Sequence, residues 1–203
     1  RLEMEIIRVF YMLDYPLEWT GGSQISTLAL GEGLRKKGLA EVYYCCPYYY
    51  AQFSAYDKFV LKVRSRGRAF PAPYRKPFEF ARISRDVESL LSEIRPDILH
   101  TQMPVSLMIS SRMKNDSSLV RCHTDRGLYN GYKLPTRFLS RIGLSKNVTL
   151  ITTTNYNAEA WRRVLKIPIL VIPNTASDDF RPYDPKVEKR LRSEAGTTNT
   201  IVI

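Results

Sequence analysis

Segments of strand length and segments of helical period alternate along this chain from end to end. Apolar, β-branched or aromatic runs stand at 5–13 (EIIRVFYML), 41–46 (EVYYCC), 97–100 (DILH), 119–123 (LVRCH), 148–153 (VTLITT), 168–173 (PILVIP) and 200–203 (TIVI). Between them lie stretches of helical spacing at 23–37, 78–94, 105–113, 135–144, 155–165 and 185–195. Several strand runs are continuously apolar, which implies burial on both faces. Strands of that kind, interrupted by helices, build a parallel sheet wrapped by helices. The expectation is therefore an α/β fold, Rossmann-like and doubly wound, with a mainly parallel sheet and helices on both faces.

Local signals punctuate the pattern. The helix at 23–37 carries Ile25, Leu28, Leu30 and Leu34 on one stripe and ends in Lys36, Lys37 and the stop Gly38. Gly31 and Gly33 fall inside it and read as places of close packing. The helix at 78–94 has a six-residue apolar stripe closed by Pro96. Asn155 reads as the N-cap of the helix that it opens. Residues 47–76 are aromatic, basic and proline-bearing, and no regular structure is assigned to them.

The 203 residues weigh 23.5 kDa and are 44% apolar, enough for a full core. No run of 18 apolar residues occurs, so no spanning helix is expected. The three cysteines, Cys45, Cys46 and Cys122, form neither a disulfide framework nor a metal spacing, which fits a reducing, cytoplasmic compartment. The chain opens on Arg1 and closes inside TIVI, so a fragment of a longer protein is expected. One domain is assigned to 1–196. Residues 197–203 are read as a hinge and the first strand of a second domain.

In an open parallel sheet, ligands bind beyond the carboxyl ends of the strands. Polar residues and glycines gather there: Gly21 and Gly22, then Thr101 and Gln102, then His123, Thr124 and Asp125, then Asn155, then Asn174. The Gly21-Gly22 pair precedes a helix, where backbone N–H groups attract phosphate, although a tight turn would use the same residues. His123 suits a hydrogen bond to a substrate hydroxyl, or proton transfer; the alternative is a buried core histidine. His100, on a shorter strand, leans toward the core reading. Neither G-x-S-x-G, H-E-x-x-H, CxxC nor G-x-G-x-x-G is present, so no metal or dinucleotide cofactor is expected.

The order and spacing of several segments resemble the N-terminal domain of a family 4 retaining glycosyltransferase of the GT-B architecture. They are MLDYPLEWTGGSQISTLALGEGLRKKG with EVYYCCP, then PDILHTQMP, LVRCHTD, ITTTNYNAEAW and VIPNTASDDFRPY. The resemblance implies sugar transfer from a nucleoside diphosphate sugar to an acceptor hydroxyl, without metal, in cell-envelope glycolipid or polysaccharide synthesis. It places Gly21 and Gly22 near the donor diphosphate and His123 near the transferred sugar. Gln102, Thr124, Asp125, Asn155 and Asn174 fall at the acceptor or the cleft. Gln102 stands where a second histidine is often found, and Asn174-Thr175 replaces Asn-Gly. The resemblance also assigns most donor contacts to a C-terminal domain. This chain alone is accordingly expected neither to bind donor tightly nor to turn over, and tight binding of a nucleotide sugar in calorimetry would contradict that.

Charge adds a further expectation. Lys plus Arg number 31 against 20 Asp plus Glu, a net +11. Residues 56–82 hold eight basic residues (Lys58, Lys62, Arg64, Arg66, Arg68, Arg75, Lys76, Arg82) and only Asp57 and Glu79 against them, a net +6. Phe59, Phe70, Tyr74 and Phe78 are interleaved. Lys62, Arg64, Arg66, Arg68, Arg75 and Lys76 are read as a surface for an anionic membrane, on its inner face, or for an anionic acceptor; a solvated loop is the alternative. Tyr48, Tyr49 and Tyr50 suit either an acceptor groove or packing beneath a loop. Two competing classes remain: an epimerase of the same architecture, and a basic nucleic-acid-binding module. The second lacks RNP1, KH and zinc-finger patterns.

Overall fold

A computed structural model describes residues 6–17, 21–48, 60–113, 118–145 and 147–173, without the side chains of Tyr48 and Lys62. Seven strands and five α-helices are present among the described residues: β1 (Ile7–Met12), α1 (Gly22–Lys36), β2 (Ala40–Tyr48), β3 (Val60–Arg64), α2 (Pro77–Ile94), β4 (Ile98–Thr101), α3 (Pro104–Ser110), β5 (Val120–Asp125), α4 (Leu134–Leu144), β6 (Thr149–Thr152), α5 (Asn155–Arg162) and β7 (Ile169–Val171). All strand pairs are parallel, in the order β3-β2-β1-β4-β5-β6-β7. The chain winds outward from β1 to β3, then crosses back to β4 and winds the other way. The switch falls between β1 and β4, as a doubly wound sheet requires.

Side-chain alternation sends each strand's residues to two cores. Phe10, Met12 and Leu99 pack with Phe80, Ile83 and Val87 of α2 and Met108 and Ile109 of α3. Val9, Tyr11, Val42 and Tyr44 pack on the opposite face, against Leu28 and Leu34 of α1. Leu107, Leu144, Leu150 and Trp161 join α3, α4, β6 and α5 in a third cluster. The expected Rossmann-like fold, with helices on both faces, is what forms. Cys45 and Cys46 are buried free thiols in the first and second cores, and Cys122 is free as well.

Several local expectations need correction. β3 lies inside the stretch without assigned structure: among its described side chains only Val60 and Val63 are buried, and the pattern is too short to register. Half of the expected stripe on α1 forms: Leu28 and Leu34 pack on the sheet, but Ile25 and Leu30 are 58% and 49% exposed, while Gln24, Thr27 and Gly31 are buried. The N-cap of α5 is Thr154, whose hydroxyl accepts from Asn157 N at 3.2 Å; Asn155 is the first helical residue. Tyr49, Tyr50, the helix at 185–195, the strand at 200–203 and the domain boundary at 196 lie outside the described residues.

The two helical glycines separate cleanly. A Cβ on Gly31 would stand 2.0 Å from Tyr44 Oη and 2.9 Å from Cζ, and Tyr44 is wholly buried and stacked on Tyr11 at 5.9 Å. A Cβ on Gly33 would meet nothing within 4 Å. Gly31 is thus the close-packing position and Gly33 is not. Gly31→Ala is expected to destabilise by about 1–2 kcal/mol, overpacking outweighing the gain in helix propensity. Gly33→Ala is expected to stabilise by about 0.5–1 kcal/mol. Urea unfolding of the two variants should give midpoint shifts of opposite sign; equal shifts would contradict the packing.

Candidate functional site

The carboxyl rim collects the ends of β1, β4, β5 and β6 around the switch point. The helices that follow these strands start at the same rim, so their N–H ends face it. Two of those helix starts differ in how they are satisfied. At α3, Asp14 from the end of β1 fills the position: its carboxylate accepts from Val105 N at 2.8 Å and Ser106 N at 2.6 Å. Burial raises the Asp14 pKa to about 6, against these two backbone hydrogen bonds, which lower it. At α1, Gly21 is the N-cap, in an extended conformation; no side chain caps the helix and no acid stands in its first turn. A Cβ on Gly22 would touch nothing within 4 Å, so the backbone there is open to close approach. Among the described residues, no side chain caps the positive end of this 15-residue helix.

β4 and β5 supply the neighbouring side chains. Thr101 and His123 are direct cross-strand partners, and Thr101 Oγ1 lies 2.8 Å from His123 Nδ1. On the other face, His100 Nε2 lies 2.8 Å from Thr124 Oγ1, and its ring tilts over Tyr11 at 5.1 Å. The two histidines therefore sit back to back across the sheet. Burial lowers the pKa of His123 to about 4, despite the opposing effect of Asp125. Burial, with His123 and Arg126 adding to it, lowers that of His100 to about 3. Both imidazoles are neutral near pH 7. His123 suits a hydrogen bond at a substrate hydroxyl, and at a pKa near 4 it is a weak base. His100 is a satisfied interior residue.

Gln102 lies at the end of β4, 1% exposed. Its backbone N–H donates to Met12 O at 3.0 Å and its Oε1 accepts from Arg126 Nε at 3.1 Å. Its Nε2 is buried and has no hydrogen-bond partner. An unpaired buried donor costs roughly 1–3 kcal/mol, and at a ligand-binding rim the natural compensation is a ligand acceptor. Arg126, half-buried beside it, brings a cation to the same place.

Asp125 does not reach a cleft. Oδ1 accepts from Gly127 N at 3.1 Å and Tyr132 Oη at 2.5 Å; Oδ2 accepts from Asn157 Nδ2 at 3.1 Å and Trp161 Nε1 at 2.5 Å. It is 1% exposed and ties the loop after β5 to α5. With Asp14 and Asp125 both enclosed by protein donors, neither rim carboxylate is open to substrate.

The other expected positions distribute as follows. Gly21 and Gly22 stand at the rim, while Gln102 and His123, 1% and 2% exposed, lie buried at the strand ends beneath it. Thr124 is turned to His100. Asn155 is exposed at the start of α5. Asn174 lies outside the described residues. Arg64, Arg66, Arg68, Arg75 and Lys76 are all exposed, while the Lys62 side chain lies outside the described set. Glu79 accepts from Arg66 N at 2.7 Å and pairs with Lys76 Nζ at 3.5 Å. The sequence reading missed Asp14 and Arg126. Arg126 directly follows β5 and Asp14 stands two residues beyond β1, and that closeness to a strand end is the signal that could have found them.

Linkage makes the histidines measurable. Each has a folded pKa below its ordinary 6.5, so its contribution is complete above pH 6.5 and is lost as the pH falls toward 4. Asp14, raised from 3.8 to about 6, acts oppositely: its contribution is complete below pH 3.8 and lost as the pH rises through 6. Two histidines against one aspartate leave a net loss of stability as the pH falls from 6 toward 4. Denaturation at pH 7, 6 and 5 should show it, and a flat profile would contradict the neutral buried imidazoles.

Among the described residues no cluster of three or more His, Cys, Asp or Glu side chains could hold a metal ion, and no helix is long and apolar enough to cross a membrane.

A doubly wound parallel sheet with an uncapped glycine helix start and polar residues at its switch point defines a Rossmann-like ligand-binding domain. The family model described as Glycosyltransferase Family 4 matches residues 20–180, and the chain belongs to that family. Its fold is similar to sucrose-phosphate synthase from Thermosynechococcus elongatus (TM-score 0.69, 14% identity, 93% of this chain and 52% of that one). It is also similar to HepE from Anabaena in complex with UDP and glucose (0.61, 12%, 95% and 51%). The UDP-GlcNAc 2-epimerase from Methanocaldococcus jannaschii is similar too (0.54, 12%, 83% and 46%). The chain spans about half the length of these structures. Among curated proteins, none matches the chain.

Proposed function

We propose that this domain is the acceptor-binding half of an enzyme that moves a sugar from a nucleoside diphosphate sugar to an acceptor hydroxyl, with retention of configuration. The observation that carries the reading is the rim itself: an uncapped helix start at Gly21-Gly22 on the same edge as Gln102, His123 and Arg126. The diphosphate needs stabilisation as it leaves, which a helix N-terminus and a cation provide. The neutral His123 hydrogen-bonds a sugar hydroxyl, and Gln102 Nε2 finds the acceptor atom that it lacks within the protein. The sugar's bond to the diphosphate breaks, the bond to the acceptor oxygen forms, and the acceptor's proton passes to the departing diphosphate. Family membership and the UDP and glucose bound by HepE support this reading. No metal, cofactor or nucleic acid enters it, and a second domain holds most of the nucleotide sugar.

Proton NMR of the first product formed by the full-length protein tests the stereochemistry. The anomeric coupling should match that of the donor sugar, and an inverted anomer would overturn retention. Similarity to an epimerase supports a second reading, in which the sugar stays on the nucleotide and changes at a ring carbon. That reading predicts a nucleotide-bound product.

A further inference from the structure

α4 turns large apolar side chains to solvent. Leu134, Phe138 and Ile142 are 76%, 63% and 40% exposed, at spacings of four residues, so they form one stripe. The helix buries Ser140, Gly143 and Leu144 on its other side. An outward apolar stripe bordered by charge marks a contact surface. Lys133 and Arg141 flank it and are exposed. Arg137 is held at the base of the helix, its Nε donating to Tyr132 O at 2.7 Å and its guanidinium 5.5 Å over the Tyr129 ring. The loop before α2 joins this surface through Tyr74 Oη and Thr136 Oγ1, 2.9 Å apart. Tyr74 is 43% exposed, and Phe78, four residues on, is 91% exposed.

The sequence around the stripe is mainly basic, with Glu79 paired to Lys76 at 3.5 Å beside it. Residues 126–158 contain five Lys or Arg and no Asp or Glu, and residues 64–76 likewise contain five and none. We propose that α4 and the loop at 64–76 form one docking surface for an anionic lipid bilayer, with Leu134, Phe138 and Ile142 entering the headgroup boundary. Basic residues around an inserted apolar helix face are the pattern of interfacial binding. A second copy of this chain fits poorly, because it would set two acid-free basic stretches against the same two. The surface differs from the sequence expectation, which rests on residues 56–82 and names Lys62 to Lys76 within them. It also stands independently of the transferase reading.

Sedimentation of the full chain with vesicles of phosphatidylcholine alone, or mixed equally with phosphatidylglycerol, tests this. Binding to the anionic vesicles should exceed that to neutral ones at least tenfold at low salt. Leu134→Ser with Phe138→Ser should reduce it at least tenfold, as should Lys133→Glu with Arg141→Glu. Arg162→Glu with Arg163→Glu on α5 should leave it unchanged. The indole emission gained in Phe138→Trp should be quenched by brominated lipid in anionic vesicles. Equal binding to both vesicle types, full binding by the serine variant, or no quenching of the Phe138→Trp variant would overturn the proposal. So would loss of a dimer, or of nucleic-acid binding, as the only effect of the serine variant.

Discussion

Asp125→Ala is expected to cost the fold about 4–5 kcal/mol. The carboxylate serves four donors from Gly127, Tyr132, Asn157 and Trp161, at 1% exposure. Removing it leaves those donors unpaired around an apolar void. Hydrogen bonds to a buried charged group contribute about 1.5–3 kcal/mol each, and losing one partner of a buried network costs more than forming it gains. The individual costs are not additive, because the loop after β5 can relax and admit water. Asp125→Asn keeps the shape but points an NH₂ at two of the donors, so it should cost about half as much. Urea unfolding measures both; an alanine variant within about 1 kcal/mol of the parent would show that Asp125 does not hold α5 to the sheet.

The second large effect is on turnover. In the full-length protein, His123→Ala should lower kcat for sugar transfer about 10²–10³-fold, the range for losing a positioned hydrogen-bonding group at a reacting centre. His123→Gln, which keeps a donor and an acceptor, should recover part of that loss. Because the imidazole is already neutral, with its pKa lowered to about 4, the parent's rate should not fall as the pH rises through 6.5. A rate controlled by a group titrating at that ordinary value would show that His123 is more exposed than it is here. The histidine contact with Thr101 sets the ring, so Thr101→Val should reproduce part of the kcat loss without touching substrate.

Much of the fold was legible because it rests on periodicity. Continuous apolar strands can only be buried on both faces, and that alone leads to a parallel sheet with helices around it. β3 escaped because its apolar residues, Val60, Leu61 and Val63, are few, interrupted by Lys62 and closed by Arg64. Half of the α1 stripe misled because the helix approaches the sheet at Gly31, where closeness of backbone decides which side chains are covered. The rim residues were legible as a set, since strand ends in such sheets face ligand. Their individual duties were not. Asp125 reads in sequence as one more polar residue after His123, and only the approach of Trp161 and Asn157 from α5, more than thirty residues on, shows that it is enclosed. α4 shows the converse: the sequence marks a helix at 135–144, and only the tertiary packing shows that Leu134, Phe138 and Ile142 are left outside.

In the proposed reading, this rim serves the transfer of a sugar. The direct test is to incubate the full-length protein with a panel of nucleoside diphosphate sugars and acceptors, then quantify free nucleoside diphosphate and glycosylated acceptor in the same sample. The two should appear in equal amounts, and both should disappear in the His123→Ala variant. Consumption of donor with the sugar still attached to its nucleotide, or transfer untouched by the loss of His123, would contradict it.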